Sequence, residues 1–331
     1  MTFKFSKVYV NDVSTIVGPY EKEGPLGKKF DKAYDNLYIG EDSWEKAEVK
    51  LLEESIDILL NKTKKKKEDI DLIIAGDLLN QISASCYGVE KFKIPFLGIY
   101  SACTTSTEGI LLAAIMIDSS RVSNAIVSVS SHNMASEKQF RNPTEYGAPK
   151  PMTATFTTTG GASILLQSAK TKVKVESATV GCICNMNQKD PNNMGAAMAV
   201  AAADTIYNHL KDTKRNISYY DLIITGDLGK YGKKILIEYM KSEYDINMSD
   251  NYNDSGTMIY EIDVQKEVLA GGSGPACSPL VNYSHIIPML EEKKLSKVLI
   301  VATGALFSPT FVYQKQPILS ISHAVSLESV K

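Results

Sequence analysis

One phrase occurs twice in this chain, and it restricts the possible folds more than any other feature. Asp71–Leu78 reads Asp-Leu-Ile-Ile-Ala-Gly-Asp-Leu, and Asp221–Leu228 reads Asp-Leu-Ile-Ile-Thr-Gly-Asp-Leu. The second copy begins 150 residues after the first (221 − 71), which is close to half of the 331 residues. Each copy is a short apolar run of the kind that a buried strand requires. The sequence therefore predicts two copies of one α/β unit with a site between them.

A second pair of phrases follows in the same order. Ser101–Thr104 reads Ser-Ala-Cys-Thr, and Pro275–Ser278 reads Pro-Ala-Cys-Ser. Each opens a segment rich in small and apolar residues that leads to an apolar strand, Ala125–Val129 in the first case and Val298–Ala302 in the second. Two repeated phrases in one order indicate a duplication rather than a coincidence.

The boundary between the two copies falls near the middle of the chain. Gly160–Leu166 closes the first half, and Lys172–Cys184 opens the second. We therefore divide the chain into residues 1–168, which carry Cys103, and residues 169–331, packed together as one compact unit. The alternation of strands and helices in both halves predicts an α/β fold with mostly parallel sheets covered by helices.

Composition excludes several classes of function. The net charge is −2, from 36 Lys and Arg against 38 Asp and Glu, which gives no support for nucleic-acid binding or for adhesion to an anionic membrane. The one basic run, Lys64–Lys67, is interpreted as a solvated loop, with a lipid or partner contact as the alternative. We expect neither a signal peptide nor a membrane span, because the start lacks an apolar core and no 18-residue apolar run occurs.

The five cysteines form no paired framework. Cys182 and Cys184 are separated by one residue, whereas zinc sites and redox pairs favour two intervening residues. We therefore predict a reduced cytosolic compartment, no metal site and no cofactor.

Cys103 stands at the start of a predicted helix that runs to about Ile117. Free N–H groups and the dipole at a helix N-terminus stabilise a thiolate, which lowers the pKa of a cysteine and makes it a nucleophile. The alternative is that Cys103 is a small buried apolar residue.

On a duplicated α/β chain, a cysteine placed in this way resembles the thiolase superfamily. The resemblance implies a thiolase-like fold of five layers, α-β-α-β-α, with two halves related by a pseudo-twofold axis. It also implies that Cys103 takes the position of the nucleophile, at the start of a central helix. Such chains commonly form homodimers through the strand before that helix, here near Phe96–Tyr100.

Within that superfamily, the chain is most similar to the stage V sporulation protein AD family. The similarity covers essentially the whole chain and is carried by the blocks Glu21–Gly27, Phe30–Asp35, Gly76–Gln81, Ser131–Asn133, Gln139–Arg141, Pro143–Gly147, Met194–Gly195, Ala201–Asp204, Ala270–Gly274 and Thr303–Ala305. It implies a role in sporulation and germination, binding dipicolinic acid or its calcium chelate. It also implies a peripheral place on the inner membrane of the forespore or spore, with the membrane subunits of the stage V A complex as partners.

The residues that accompany the nucleophile in thiolases and ketoacyl synthases are missing from the matching positions. Where the synthases place a histidine, this chain has Thr225–Asp227, and the turn that normally supplies histidine or asparagine is Gly272–Pro275. The second cysteine of thiolases is replaced within Ala302–Gly304. Without a base or oxyanion donors, a thiol has little means of catalysis. We therefore expect a binding protein rather than an enzyme.

Dipicolinate is a flat pyridine ring with two carboxylates, so its site needs N–H donors, cations and an apolar surface. Two helix N-termini facing each other supply donors. The candidate ligand-binding residues are Cys103, Thr104, Asp77, His132, Arg141, Tyr146, Asp227, Ser273 and Cys277.

Some of these candidates have alternative roles. Arg141 suits a bidentate carboxylate contact or a surface ion pair, and Tyr146 suits ring stacking or packing. His132 follows a strand and could overhang the site or be structural. Asp77 and Asp227 could cap helices, hold the halves together, or ligate calcium through the chelate.

Two other functions stay open. A Cys-dependent acyltransferase of the ketoacyl-synthase or thiolase type would form a covalent acyl adduct on Cys103 when it meets acyl-CoA. A scaffold subunit with a vestigial cleft would still assemble and function after the cleft was filled.

Overall fold

The computed structural model describes residues 1–140, 150–248 and 250–330. Its strands are β1 (Thr2–Lys4), β2 (Tyr9–Val17), β3 (Lys32–Ala33), β4 (Leu72–Gly76), β5 (Phe96–Gly98), β6 (Asn124–Ser131), β7 (Phe156–Thr157), β8 (Gly160–Gln167), β9 (Val173–Val180), β10 (Cys184–Asn185), β11 (Leu222–Thr225), β12 (Tyr252–Asp254), β13 (Gly272–Ser273), β14 (Lys297–Leu306) and β15 (Leu319–Ser329). Its α-helices are α1 (Pro19–Lys22), α2 (Trp44–Thr63), α3 (Ser83–Glu90), α4 (Thr105–Asp118), α5 (Asn133–Phe140), α6 (Met194–Thr213), α7 (Gly229–Tyr244), α8 (Ser255–Met258), α9 (Cys277–Val281), α10 (Ile287–Glu291) and α11 (Pro309–Tyr313).

The same strand order recurs in the two halves. The first half has the order β2-β8-β6-β4-β5, and the second has β9-β15-β14-β11-β12. In each half the two pairs nearest the β2 or β9 end are antiparallel, and the two pairs at the other end are parallel. The repeated Asp-Leu-Ile-Ile phrases form β4 and β11, which occupy equivalent places.

The α/β fold class is confirmed, and each half is a mixed sheet rather than a mostly parallel one. The difference arises at β8 and β15, which return antiparallel to β6 and β14. Between β14 and β15, residues 307–318 contain only the five-residue α11, which is too short for the crossover that a parallel strand requires.

The helices form three layers around these strands. Helix α4 packs against strands of both halves, while α2 covers β2, β6 and β8 and α6 covers β14 and β15. The second central helix consists of α9, a π-helical turn at Asn282–Ile286, and α10. Because β4 is buried along its whole length, it needs the continuous apolar run seen in the sequence.

The glycine of each repeated phrase lies against a neighbouring segment. A Cβ added at Gly76 would lie 2.1 Å from the Ile99 carbonyl oxygen, a backbone atom just before the α4 turn. A Cβ added at Gly226 would lie 3.1 Å from the Cα of Ala302. The first half is therefore packed more tightly than the second at this equivalent position.

The two halves are joined through backbone pairing at their shared edge. Strand β2 pairs with β9 at Tyr9 and Val10. Strand β1 also pairs with β9, with Thr2 opposite Thr179, although β1 belongs to the first half of the sequence. The first half therefore contributes a strand to the sheet of the second.

We find no helix in the described residues that combines the length and the apolar character needed to cross a bilayer.

Candidate functional site

A cavity of about 60 Å³ lies at the start of α4. Its lining is mainly apolar and aromatic, with a few polar groups, and is formed by Leu78, Tyr100, Ala102, Cys103, Ser136, Glu137, Phe140, Thr157, Pro191, Met194, Met198, Ser273, Ala305 and Phe307. Both halves of the chain contribute to it. Of the candidates from the sequence, Cys103 and Ser273 line this cavity, with 3.9 Å between Cys103 Sγ and Ser273 Oγ.

A tight turn positions the Cys103 thiol. Ala102 has a φ of 48°, in the left-handed region that residues other than glycine rarely adopt. The turn Ala102–Thr104 is 3₁₀-helical and runs directly into α4, and Thr105 Oγ1 donates a hydrogen bond to the Ala102 carbonyl at 2.6 Å. The thiol is held on the cavity wall with only 8 % of the residue exposed.

Burial raises the pKa of the Cys103 thiol well above its usual value, and the nearby Asp227 carboxyl raises it further. Hydrogen bonds from the Gly274 N–H and the Ser273 hydroxyl favour the thiolate but do not offset these effects. Of the two alternatives for Cys103, the structure therefore favours the buried thiol over the thiolate, because burial and Asp227 both raise its pKa. Cys103 is a protonated thiol at neutral pH.

The two aspartates of the repeated phrases have different roles. Asp77 accepts hydrogen bonds from the Leu79 N–H at 2.8 Å and from the Ser85 N–H and hydroxyl at 2.7 Å, so it caps α3. In the second half, Asp254 takes the capping role for α7 by accepting from the Leu228 and Gly229 N–H groups.

Asp227 is therefore free to face the cavity wall. Its carboxyl accepts from the Ser273 hydroxyl at 3.0 Å, the Gly274 N–H at 3.3 Å and the Thr303 hydroxyl at 2.7 Å. Burial raises the pKa of the Asp227 carboxyl, although these hydrogen bonds favour its ionised form. Asp227 thus supports Cys103 and Ser273 from behind, whereas Asp77 does not line the cavity.

All four histidines lie in the described part of the chain, and none is hydrogen-bonded to Cys103. His132 is fully buried, and its Nε2–H donates to the Leu37 carbonyl at 2.7 Å, so it does not reach the cavity. His209 is hydrogen-bonded to Thr179 and Tyr220, and His323 Nδ1 accepts from the Gly181 N–H. His285 Nδ1 accepts from the Lys29 ammonium.

Thr104 and Cys277 do not line the cavity either. Thr104 Oγ1 donates to the Ala302 carbonyl at 3.0 Å and so ties the first half to the second. Cys277 is completely buried, with its Sγ 3.6 Å from the Gly226 carbonyl oxygen. Arg141 and Tyr146 lie outside the described residues.

Ser136 and Glu137 of α5 were not identified from the sequence as candidate site residues. Ser136, Glu137 and Phe140 face the cavity from this helix, and the Phe140 ring meets the Phe307 ring edge-to-face at 5.8 Å. Glu137 Oε1 is ion-paired with Lys150 Nζ at 2.8 Å, which brings a cation to this wall. The spacing i, i+1, i+4 after the end of β6 was the signal that could have identified this face.

Within residues 1–140, 150–248 and 250–330, no group of three or more histidine, cysteine, aspartate and glutamate side chains is arranged to hold a metal ion.

Comparisons with known proteins agree with this fold and identify close relatives. The profile of the stage V sporulation protein AD family matches residues 1–328. Stage V sporulation protein AD of Bacillus subtilis (strain 168) is 46% identical over 321 residues, which cover 97% of this chain and 94% of that protein.

Solved structures with the same fold are distant in sequence. A variant of OleA from Xanthomonas campestris superposes with a TM-score of 0.64 at 12% identity, covering 98% of this chain and 99% of that chain. The 3-oxoacyl-[acyl-carrier-protein] synthase III of Aquifex aeolicus VF5 superposes with a TM-score of 0.59 at 11% identity, covering 97% and 99%. At these identities the likeness establishes the thiolase-like fold alone.

Proposed function

Because the chain belongs to the stage V sporulation protein AD family, a group of sporulation proteins, we propose that it binds dipicolinic acid, free or as its calcium chelate, in the Cys103 cavity. In this proposal, binding serves the uptake of the acid into the developing spore and its release in germination. The observation that carries it is a thiolase-like cavity whose cysteine has no imidazole partner among the described residues.

The electrostatics of Cys103 favour binding over acyl transfer. Acyl transfer through cysteine requires a thiolate and donors for the oxyanion. Here burial and the Asp227 carboxyl raise the pKa of the thiol, and the four histidines are engaged elsewhere.

The lining of the cavity suits a small flat acid. Phe140 and Phe307 provide aromatic surface for a ring, and Cys103 and Ser273 place polar side chains on the same lining. The Lys150 ammonium is paired with Glu137, so this side of the lining carries an ion pair rather than a bare carboxylate.

We expect Cys103→Ala to weaken dipicolinate binding about tenfold while leaving the fold intact, because it removes a group on the cavity wall. Isothermal titration calorimetry with dipicolinate, with and without calcium, measures this change. Cys277→Ala is the matched control, since this equivalent cysteine is buried away from the cavity and its loss should leave the affinity unchanged.

Two results would contradict the proposed function. One is the absence of dipicolinate binding by the wild-type protein. The other is a covalent acyl adduct on Cys103 after incubation with acyl-CoA, detected by intact mass, which would favour the acyltransferase.

We further propose that the protein forms a homodimer and associates peripherally with the inner membrane of the forespore or spore, through membrane subunits of the stage V A complex. For the homodimer, the support is β5, which lies at the end of the strand order and pairs with β4 alone among the described strands. Leu97 on β5 is 43 % exposed, and Tyr100 just after it is 49 % exposed. An open strand edge with exposed apolar groups is suited to pairing with a second copy.

Leu97→Arg is expected to convert a dimer to a monomer, because two like charges would face each other across paired edge strands. Size-exclusion chromatography with light scattering measures the mass. Val264→Arg, at another exposed apolar residue, is the control and should remain dimeric. A monomeric wild-type protein, or an unchanged dimer in Leu97→Arg, would contradict this interface.

A further inference from the structure

A buried hydroxyl on the cavity wall has no hydrogen-bond partner among the residues that the structure describes. Ser136 is 3 % exposed, and its Oγ bonds to no other group in the described residues. Several buried polar atoms in the structure lack a partner, and among these Ser136 Oγ is the one that lies on the lining of the cavity. Buried hydroxyls are nearly always satisfied in folded proteins, so this atom needs an explanation.

The environment of Ser136 in α5 makes its unpaired hydroxyl more informative. A helical serine can satisfy itself by donating to a carbonyl three or four residues earlier. Ser284 does so to the Leu280 carbonyl at 2.6 Å, and Ser55 does so to the Leu52 carbonyl at 2.8 Å. Ser136 has only its backbone N–H bonded in this direction, to the His132 carbonyl at 3.0 Å. Its side chain is therefore oriented toward the cavity instead of its own helix.

The residues around Ser136 indicate what kind of ligand could bind to this hydroxyl. Glu137 and Phe140 line the cavity from the same helix, and Phe307 lies against Phe140. The wall thus combines one hydroxyl donor, one aromatic surface and an ion-paired carboxylate. A flat ring that carries a carboxylate can use the aromatic surface and the donor together.

We propose that Ser136 is a ligand-binding residue, whose hydroxyl donates a hydrogen bond to a carboxylate oxygen of the small aromatic acid held in the cavity. This inference rests on the proposed function and assigns α5 as a recognition element of that site. The Ser136 hydroxyl bonds to no protein group within the described residues, so it is available to a bound carboxylate.

The test combines affinity and stability for Ser136→Ala, with dipicolinate as the probe. A lost hydrogen bond to a charged acceptor is expected to weaken binding about tenfold. The ligand-free variant should be as stable as the wild type, because within the described residues the Ser136 hydroxyl makes no hydrogen bond that the substitution would remove. Thermal unfolding without ligand measures this second effect. If Ser136 had a purely structural role, the variant would be less stable than the wild type.

Ser255→Ala is the matched control. Ser255 is also buried, and its hydroxyl has no hydrogen-bond partner in the described part of the chain, but it does not line the cavity. The Ser255→Ala variant should therefore bind dipicolinate as tightly as the wild type. If the wild type binds dipicolinate and Ser136→Ala binds equally well, the assignment of Ser136 is overturned while the proposed function stands.

If the wild type does not bind dipicolinate, the proposed function is wrong, and so is the assignment of Ser136 as a residue that binds this acid. A crystal structure of the ligand-free protein gives an independent decision. A Ser136 Oγ hydrogen-bonded to a protein acceptor in that structure would overturn the inference whatever the affinities are.

Discussion

Replacing Gly76 by alanine is expected to lower the free energy of unfolding by about 3 kcal/mol or more. The added Cβ would lie 2.1 Å from the Ile99 carbonyl oxygen and 2.7 Å from Cγ2 of Thr105. The first contact is with backbone, so β4 or the segment before the Cys103 turn must move. Chemical denaturation of the two proteins measures the loss, and dipicolinate titration should report a weakened site.

The internal duplication provides the control for this substitution. Gly226 occupies the equivalent place in the second half, where an added Cβ would be 3.1 Å from the Cα of Ala302. We expect Gly226→Ala to cost only about 1 kcal/mol. Equal losses at the two glycines, or a stable Gly76→Ala protein, would contradict the account of tighter packing in the first half.

Replacing Glu21 by glutamine is expected to stabilise the protein at pH 8 by up to about 3 kcal/mol. Glu21 is completely buried, and burial raises the pKa of its carboxyl from 4.5 to about 7. Its Oε1 accepts hydrogen bonds from the Thr159 N–H at 2.9 Å and from the Tyr260 hydroxyl, while Oε2 has no partner within the described residues. Glutamine keeps the shape and the acceptor and removes the buried charge.

The direction of the pH effect follows from the raised pKa. Between pH 4.5 and 7 the folded protein binds more protons at Glu21 than the unfolded chain does. The contribution of Glu21 to stability is therefore complete below about pH 4.5 and is lost as the pH rises through 7. Burial lowers the pKa of His209 and of His323 to about 4, which acts in the opposite direction between pH 4 and 6.5.

For this reason the quantity to measure is the difference in unfolding free energy between Glu21→Gln and the wild type. It should be near zero at pH 4.5 and grow up to about pH 7. Glu68→Gln, at an exposed glutamate, serves as control and should leave the curve unchanged. A difference that stays flat across this range would contradict a buried neutral acid at Glu21.

The duplication made much of the fold predictable from the sequence. The two Asp-Leu-Ile-Ile phrases predicted equivalent strands, and the two Ala-Cys phrases lie at or next to the starts of α4 and α9. The sequence did not predict that β15 runs antiparallel to β14. The direction of β15 depends on residues 307–318, and the five-residue helix in this segment is too short for hydrophobic periodicity to distinguish it from a loop.

The site was predicted less completely than the fold, because the two repeated Asp-Leu-Ile-Ile phrases have different neighbouring residues in the folded protein. Asp77 caps α3 through Ser85, whereas Asp254 caps α7 and leaves Asp227 to face Cys103. The local sequence does not indicate which of these aspartates caps a helix. His132 likewise bonds to a carbonyl 95 residues earlier in the chain, a partner that only the folded chain defines.

The pairing of β1 with β9 has a consequence for how the protein is made. Thr2 lies 177 residues before Thr179, to which it is hydrogen-bonded at 2.8 Å. During synthesis on the ribosome, β1 therefore cannot pair with β9 until β9 has been synthesised. The leading half can collapse around its own sheet early, but this seam closes only once the trailing half has begun to emerge.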